Sequence, residues 1–134
     1  MTLTSQQVRQ LLDQAVASAT QMELQVCVAV VDSGANPLGF LRMDEAFLGS
    51  SDVAQRKART AVLFRCPTDA FGKVIEQEKL LGMSGSNQGL CAFGGGLPIL
   101  HNGQLLGGIG ISGATAEQDQ QIAAAALATL FQRQ

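Results

Sequence analysis

The sequence predicts an α+β domain of the α/β class, a mostly antiparallel five-stranded sheet with helices packed on its faces. Three observations carry this. Apolar residues recur at helical spacing near both ends of the chain, from Val8 to Ala19 and from Ile122 to Phe131. Between them lie short apolar runs rich in β-branched residues, such as Val26 to Val31. Finally, Asn102-Gly103 separates two apolar runs, the strongest short-range hairpin signal, because a type I′ turn needs positive φ at both central residues. The element order reads α-β-β-α-α-β-β-β-α, in which neighbouring strands pair as hairpins.

Composition bounds the answer. At 134 residues, with no repeat, linker or low-complexity segment, one domain over 1–134 is expected. The chain has no Trp, no Tyr and six Phe, so its core is assembled from small Ala, Val, Leu and Gly pieces that favour tight helix-on-sheet packing. A net charge of −2 supplies no basic face for nucleic acid. No apolar run approaches the roughly 18 residues of a membrane span. The first ten residues, MTLTSQQVRQ, are polar where a signal peptide needs an apolar core. Cys27, Cys66 and Cys91 are odd in number and lack metal-type spacing, so free thiols and a cytoplasmic location are expected.

Each element has its local reason. Thr4 with Gln7 forms a capping box and Leu3 with Val8 a hydrophobic staple, starting a helix that ends near Met22. Val26 to Val31 follows as a strand covered on both faces. Asp32 to Pro37 is turn chemistry, and Leu38 to Met43 is the partner strand. Ser50 or Ser51 caps the next helix, with Asp52 in its first turn and Ala54, Ala58, Ala61, Val62 and Arg65 on one face. Arg56, Lys57, Arg59 and Arg65 make this the only basic segment, read as a solvated face. Pro67 ends it and Thr68 caps a third helix carrying Phe71, Val74 and Ile75. Gly82 to Gly89 is a polar glycine-rich loop of the kind that borders sites. Leu90 to Phe93 is a brief strand before the Gly94-Gly95-Gly96 corner. In the strand after Asn102-Gly103, Leu105, Gly107, Ile109 and Ile111 alternate with Leu106, Gly108, Gly110 and Ser112, so one face is nearly bare backbone. Thr115 with Gln118 is a second capping box.

Gly108-Ile-Gly110-Ile-Ser-Gly113 satisfies the dinucleotide-binding G-x-G-x-x-G pattern, but its context fails. One helix follows, and no second parallel strand exists to carry a ribose-binding acid. The glycines read better as positions where a helix or a ligand approaches the backbone. The chemistry-bearing inventory is short. His101 is the only histidine, which excludes a multi-histidine metal site and leaves it a weak metal candidate. The best candidate pocket combines the face at Gly108 and Gly110, the Gly94, Gly95 and Gly96 corner, and the helix start from Ser112 and Gly113 to Thr115, whose backbone N–H groups attract anions. Arg42 supplies a counter-charge, with Asp44 and Glu45 beside it. A compact anionic ligand is expected.

Several segments together resemble the GlcG/HbpS-like family, which includes the C-terminal domain of PduO-type cobalamin adenosyltransferases. They are Val28-Ala-Val-Val-Asp32, Arg42-Met-Asp44, Lys57-Ala-Arg-Thr-Ala61, Gly94-Gly-Gly-Leu-Pro-Ile99, and Gly108 to Gly113 with Glu117-Gln-Asp119. The likeness runs from about Leu11 to Leu130 and keeps motif order. It implies a profilin-like fold and homo-oligomers, from dimers to octamers. It also implies a role among tetrapyrrole (haem or corrinoid) binding accessory proteins, some tied to glycerol, diol or glycolate metabolism. An alternative is a tautomerase or isomerase of a small carboxylic acid, with Arg42 fixing the carboxylate and Asp44 or Glu45 moving the proton; another is a non-catalytic structural partner. Thr4 to Met22 contains no histidine, the axial ligand type that haem-binding members use there, which argues against haem unless His101 or an oxygen serves.

Overall fold

The first helix forms where the capping box predicts it. In the computed structural model of the protein, α1 spans Ser5–Gln21, with Thr4 and Gln7 exchanging side-chain-to-backbone hydrogen bonds of 2.9 and 3.1 Å. Residues 2–131 are described, so both ends of the 1–134 domain expectation lie outside the described residues. After α1 come β1 (Cys27–Asp32), β2 (Pro37–Arg42), α2 (Ser50–Leu63), α3 (Thr68–Glu78), a 3₁₀ turn at Met83–Gly85, β3 (Gly96–His101), β4 (Gln104–Ser112) and α4 (Ala116–Ala128).

The sheet is antiparallel throughout, in the order β2-β1-β4-β3. It has four strands among the described residues, where five are expected from sequence. The missing one is Leu90 to Phe93. Its backbone turns to a side chain: Cys91 N–H donates to the Thr60 hydroxyl at 3.0 Å, and no ladder forms.

Two layers of helix sandwich the sheet. On one side α1 and α4 close the main core over Val28, Val30, Ile109 and Ile111. On the other, α2 lies against β1, β4 and β3, its Ala54, Ala58 and Val62 meeting Cys27, Ala29 and Val31. The small side chains of α2 and the glycines of β4 let backbone approach backbone there.

The Asn102-Gly103 turn forms as expected, with φ of 52° and 78°. The β4 alternation does not run unbroken. Ile99 pairs with Gly107 but Leu100 pairs with Leu105, so Leu106 is an extra residue in the ladder. The bulge turns Leu106 into the main core with Ile109, while Leu105 packs toward α2. A one-residue slip reverses faces, which is why strict alternation misassigns this pair.

Two expected caps are also displaced. Neither Ser50 nor Ser51 caps α2, whose N-cap is Gly49. Thr68 is the first residue of α3 rather than its cap, because its hydroxyl is already taken, accepting from Gly96 N–H at 2.9 Å. Arg65 lies beyond α2 at φ 52°.

A buried ion pair, two grooves and the candidate site

The most unusual chemistry in the fold is a buried charge. Lys57 on α2 is 1% exposed, not on a solvated face as its basic neighbourhood suggests. Its ammonium donates to Ile111 O at 2.8 Å and to Asp119 Oδ2 at 3.1 Å, and stands 5.0 Å from the centre of the Phe93 ring. Asp119 is equally enclosed, and its other oxygen accepts from Ala114 N–H at 3.0 Å. The pair therefore ties α2, the end of β4 and the first turn of α4 together. Removing a buried charge's partner is costly, so the three elements are held as a unit.

The glycine corner is shaped around this lysine. Gly95, at φ 130°, has the left-handed backbone that favours glycine, and a Cβ there would stand 2.5 Å from Lys57 Nζ. A Cβ on Gly96 would stand 2.5 Å from Lys57 O. Gly94 is buried as well, with Gln120 Oε1 and Ala116 O within 3.0 Å of where a Cβ would stand, and it borders a groove of about 460 Å³ lined also by Asp69 and Glu117. Two carboxylates and no cation line that groove, the wrong polarity for the anion expected at this corner.

The other predicted ligand glycines are also covered. A Cβ on Gly108 would stand 2.6 Å from Ala58 O, and one on Gly110 would overlap Ala54 O. The bare face of β4 thus receives α2, and no ligand fits between them. Ser112 is buried opposite Cys27, and Gly113 packs on Gln25 and Val26. At the start of α4 the anion is the chain's own: the Asp119 carboxylate caps Ala114 N–H, where an external anion is expected. Arg56 and Arg59 are occupied too, donating to carbonyls of Gln88, Asn87 and Gly89 and so pinning the Gly82 to Gly89 loop.

Arg42 is different. At the end of the edge strand β2 it lines a second groove, about 390 Å³, with Val16 and Thr20 of α1, Gln25, Leu41, Met43 and Asp44. Asp44 and Glu45 are exposed, and the Glu45 N–H donates to Gln25 Oε1 at 3.0 Å. The groove offers an apolar wall, one guanidinium, one carboxylate, an amide and a hydroxyl. Its sulfur is turned away: Met43 Sδ accepts from Val26 N–H at 3.4 Å. His101 lies far along the chain in β3, its ring stacked on Phe131 with centroids 4.0 Å apart. Burial raises the thiol pKa of Cys27, Cys66 and Cys91, keeping all three protonated at neutral pH. Among the described residues no cluster of three or more His, Cys, Asp or Glu side chains could hold a metal, and no helix is long and apolar enough to cross a membrane.

Of the candidate residues, then, the structure groups Arg42 and Asp44 at one groove. It places Gly95 and Gly96 against Lys57, Ser112 and Gly113 beside Cys27, Gln25 and Val26, and Gly108 and Gly110 beneath α2. Lys57 and Asp119 both fall in the segments that carry the family resemblance, but their burial and pairing escape a sequence reading. The available signal is spacing: Lys57 lies three residues after Ala54 and four before Ala61, on the alanine face that must be buried.

The family model for haem-degrading protein HbpS-like sequences matches residues 3–128. An uncharacterised 15.0 kDa protein from the dhaT-dhaS intergenic region of Citrobacter freundii is 37% identical over 128 residues, 94% of this chain and 90% of the relative. The corrinoid adenosyltransferase PduO of Salmonella typhimurium is 37% identical over 130 residues, 96% of this chain but 39% of that enzyme. The crystal structure of a PduOC:heme complex superposes with a TM-score of 0.91 at 37% identity, covering 96% of this chain and 94% of that one.

Proposed function

The chain belongs to the HbpS-like family, and from that premise we propose that it is an accessory protein that binds a tetrapyrrole, haem or corrinoid, at the Arg42 groove. The supporting observation is the groove itself. Val16 and Leu41 present an apolar wall suited to the edge of a flat macrocycle, and Arg42 presents a fork suited to a carboxylate. The likeness to a haem-bound PduOC domain along nearly the whole chain supports the same class of ligand.

The residues fit such a ligand's carboxylates better than its metal. Neither histidine nor cysteine lines the groove, α1 has no histidine, and the nearest soft atom, Met43 Sδ, is committed inward. The oxygen ligands at the groove are the Asp44 carboxylate, the Gln25 amide, whose Oε1 already accepts from Glu45 N–H, and the Thr20 hydroxyl, itself donating to Val16 O at 2.8 Å. When bound, the macrocycle's metal supplies redox or ligand-exchange chemistry; this chain binds, orients and shields it. The protein works as a homo-oligomer in this reading, so that a second copy helps to enclose a ligand larger than one groove.

The test is a haemin titration followed at the Soret band, with Arg42→Ala and His101→Ala in parallel. Saturation at one haemin per chain, weakened about tenfold or more by Arg42→Ala and unmoved by His101→Ala, is expected from the loss of one charge-assisted contact. Unchanged affinity in Arg42→Ala, or loss in His101→Ala, would place the ligand elsewhere.

A further inference from the structure

One face of β2 has no cover. Gly39 and Leu41 point toward α1, where a Cβ on Gly39 would stand 2.7 Å from Val8. The opposite side, which pairs Phe40 with Ala29 and Arg42 with Cys27, is bordered by Gln55 and Arg59 of α2 across a groove but is not covered by that helix. Phe40 is 43% exposed there, Leu38 at the neighbouring register break is 41% exposed, and Phe47 and Leu48, on the loop leading into α2, are 73% and 76% exposed. The loop is held against the same sheet end, since Ser51 Oγ lies 3.7 Å from Cys27 Sγ. Four large apolar side chains within eleven residues thus sit on or beside an unpaired edge strand.

We infer that this β2 face, with the Phe47-Leu48 loop, is the surface on which a second copy of this chain docks about a two-fold axis. The inference rests on the homo-oligomer reading above and adds the face. Area supports it: at roughly 150–250 Å² per large side chain, the exposed parts amount to about 400 Å² of apolar surface. That is about half of the roughly 800 Å² each partner contributes to a standard interface, near the usual apolar share.

Charge supports a copy rather than an unrelated partner. Arg59, in the groove with Val31, Pro37 and Phe40, stands toward the start of β2, whereas Asp44 and Glu45 follow its end. None of the three takes part in either ion pair among the described residues. Arg59 bonds only neutral carbonyls. A two-fold related copy laid antiparallel along β2 brings each Arg59 to the end of the other copy's β2, where the two carboxylates of Asp44 and Glu45 outnumber the one guanidinium of Arg42, as an isologous interface requires. Pro37 at the head of β2 and the register break opposite it discourage edge-to-edge sheet extension, leaving the face as the contact.

The experiment is sedimentation velocity on the wild type, on a Phe47→Asp/Leu48→Asp double variant, and on an Asp44→Lys/Glu45→Lys double variant, with circular dichroism to confirm folding. All four substituted positions are exposed, so folding is expected to survive. A wild-type species of at least two chains that falls at least twofold in mass in Phe47→Asp/Leu48→Asp, and dissociates at lower concentration factors in Asp44→Lys/Glu45→Lys, is the expected result. A wild type that is monomeric at tens of micromolar overturns both the assembly and the face. An oligomer untouched by Phe47→Asp/Leu48→Asp overturns the face alone.

Discussion

Replacing Asp119 by Asn tests whether the Lys57 centre holds the fold together. The substitution keeps a carbonyl oxygen where Ala114 N–H now donates at 3.0 Å. It removes only the charge that answers Lys57 Nζ at 3.1 Å. The ammonium is then left inside the protein with Ile111 O at 2.8 Å and the Phe93 ring at 5.0 Å. Stranding one member of a buried pair costs about 3–5 kcal/mol, and the Phe93 ring, in contact with the ammonium before and after the change, leaves that difference unaltered. A net loss of about 3 kcal/mol is expected, or a fall in Tm of roughly 10 °C for a domain of this size. Urea unfolding followed by far-ultraviolet circular dichroism measures it, since the chain has neither Trp nor Tyr to report by fluorescence. Adding Lys57→Met removes the stranded charge, and the double variant is expected to recover most of the loss. A loss below about 1 kcal/mol in Asp119→Asn, or a double variant no more stable than the single one, would refute this reasoning.

Two other substitutions probe the fold. Gly110→Ala pushes a methyl into the Ala54 carbonyl and must separate α2 from β4. A cost of about 3 kcal/mol or more is expected by chemical unfolding, beside a Gly85→Ala control that meets nothing within 4 Å and shifts stability by less than about 0.5 kcal/mol. Asp32 holds the β1–β2 turn through N–H groups of Asn36 and Gly34 at 2.9 Å each. The Asn36 N–H leads in lowering its pKa in the folded state. A lowered carboxyl stabilises the fold above its unfolded value near 4, and that stabilisation is lost as pH falls through the folded value. Asp32→Ala is therefore expected to cost about 1 kcal/mol at pH 7 and progressively less as pH falls below about 4; a difference that does not shrink on acidification contradicts the turn's role.

Local chemistry was the legible part of this chain. Both capping boxes, the Asn102-Gly103 turn and the doubly covered β1 form as their residues dictate, because each is decided within a few residues. What depended on distant partners was not. Thr68 and Cys91 look like a cap and a strand residue until the tertiary fold gives their polar groups to Gly96 and Thr60. Lys57 belongs by charge to a basic surface segment, and only the arrival of Asp119 from 62 residues away makes its burial tolerable. The glycines of β4 announced a close approach but not by what; the answer, α2, needed the sheet order. Arg42 was legible as a candidate because a cation beside a strand end stays exposed in most packings. The inward turn of Met43, which takes away the groove's one soft ligand, was not.

In the proposed function the Arg42 groove grips a tetrapyrrole by its carboxylates rather than by its metal. The most direct measurement compares haemin with metal-free protoporphyrin IX, reading the porphyrin's own fluorescence and using haemin as competitor. Affinities within about threefold of each other, both lowered by Arg42→Ala, are predicted. Tight haemin binding with no measurable protoporphyrin binding would contradict the claim and point to an iron ligand outside this groove.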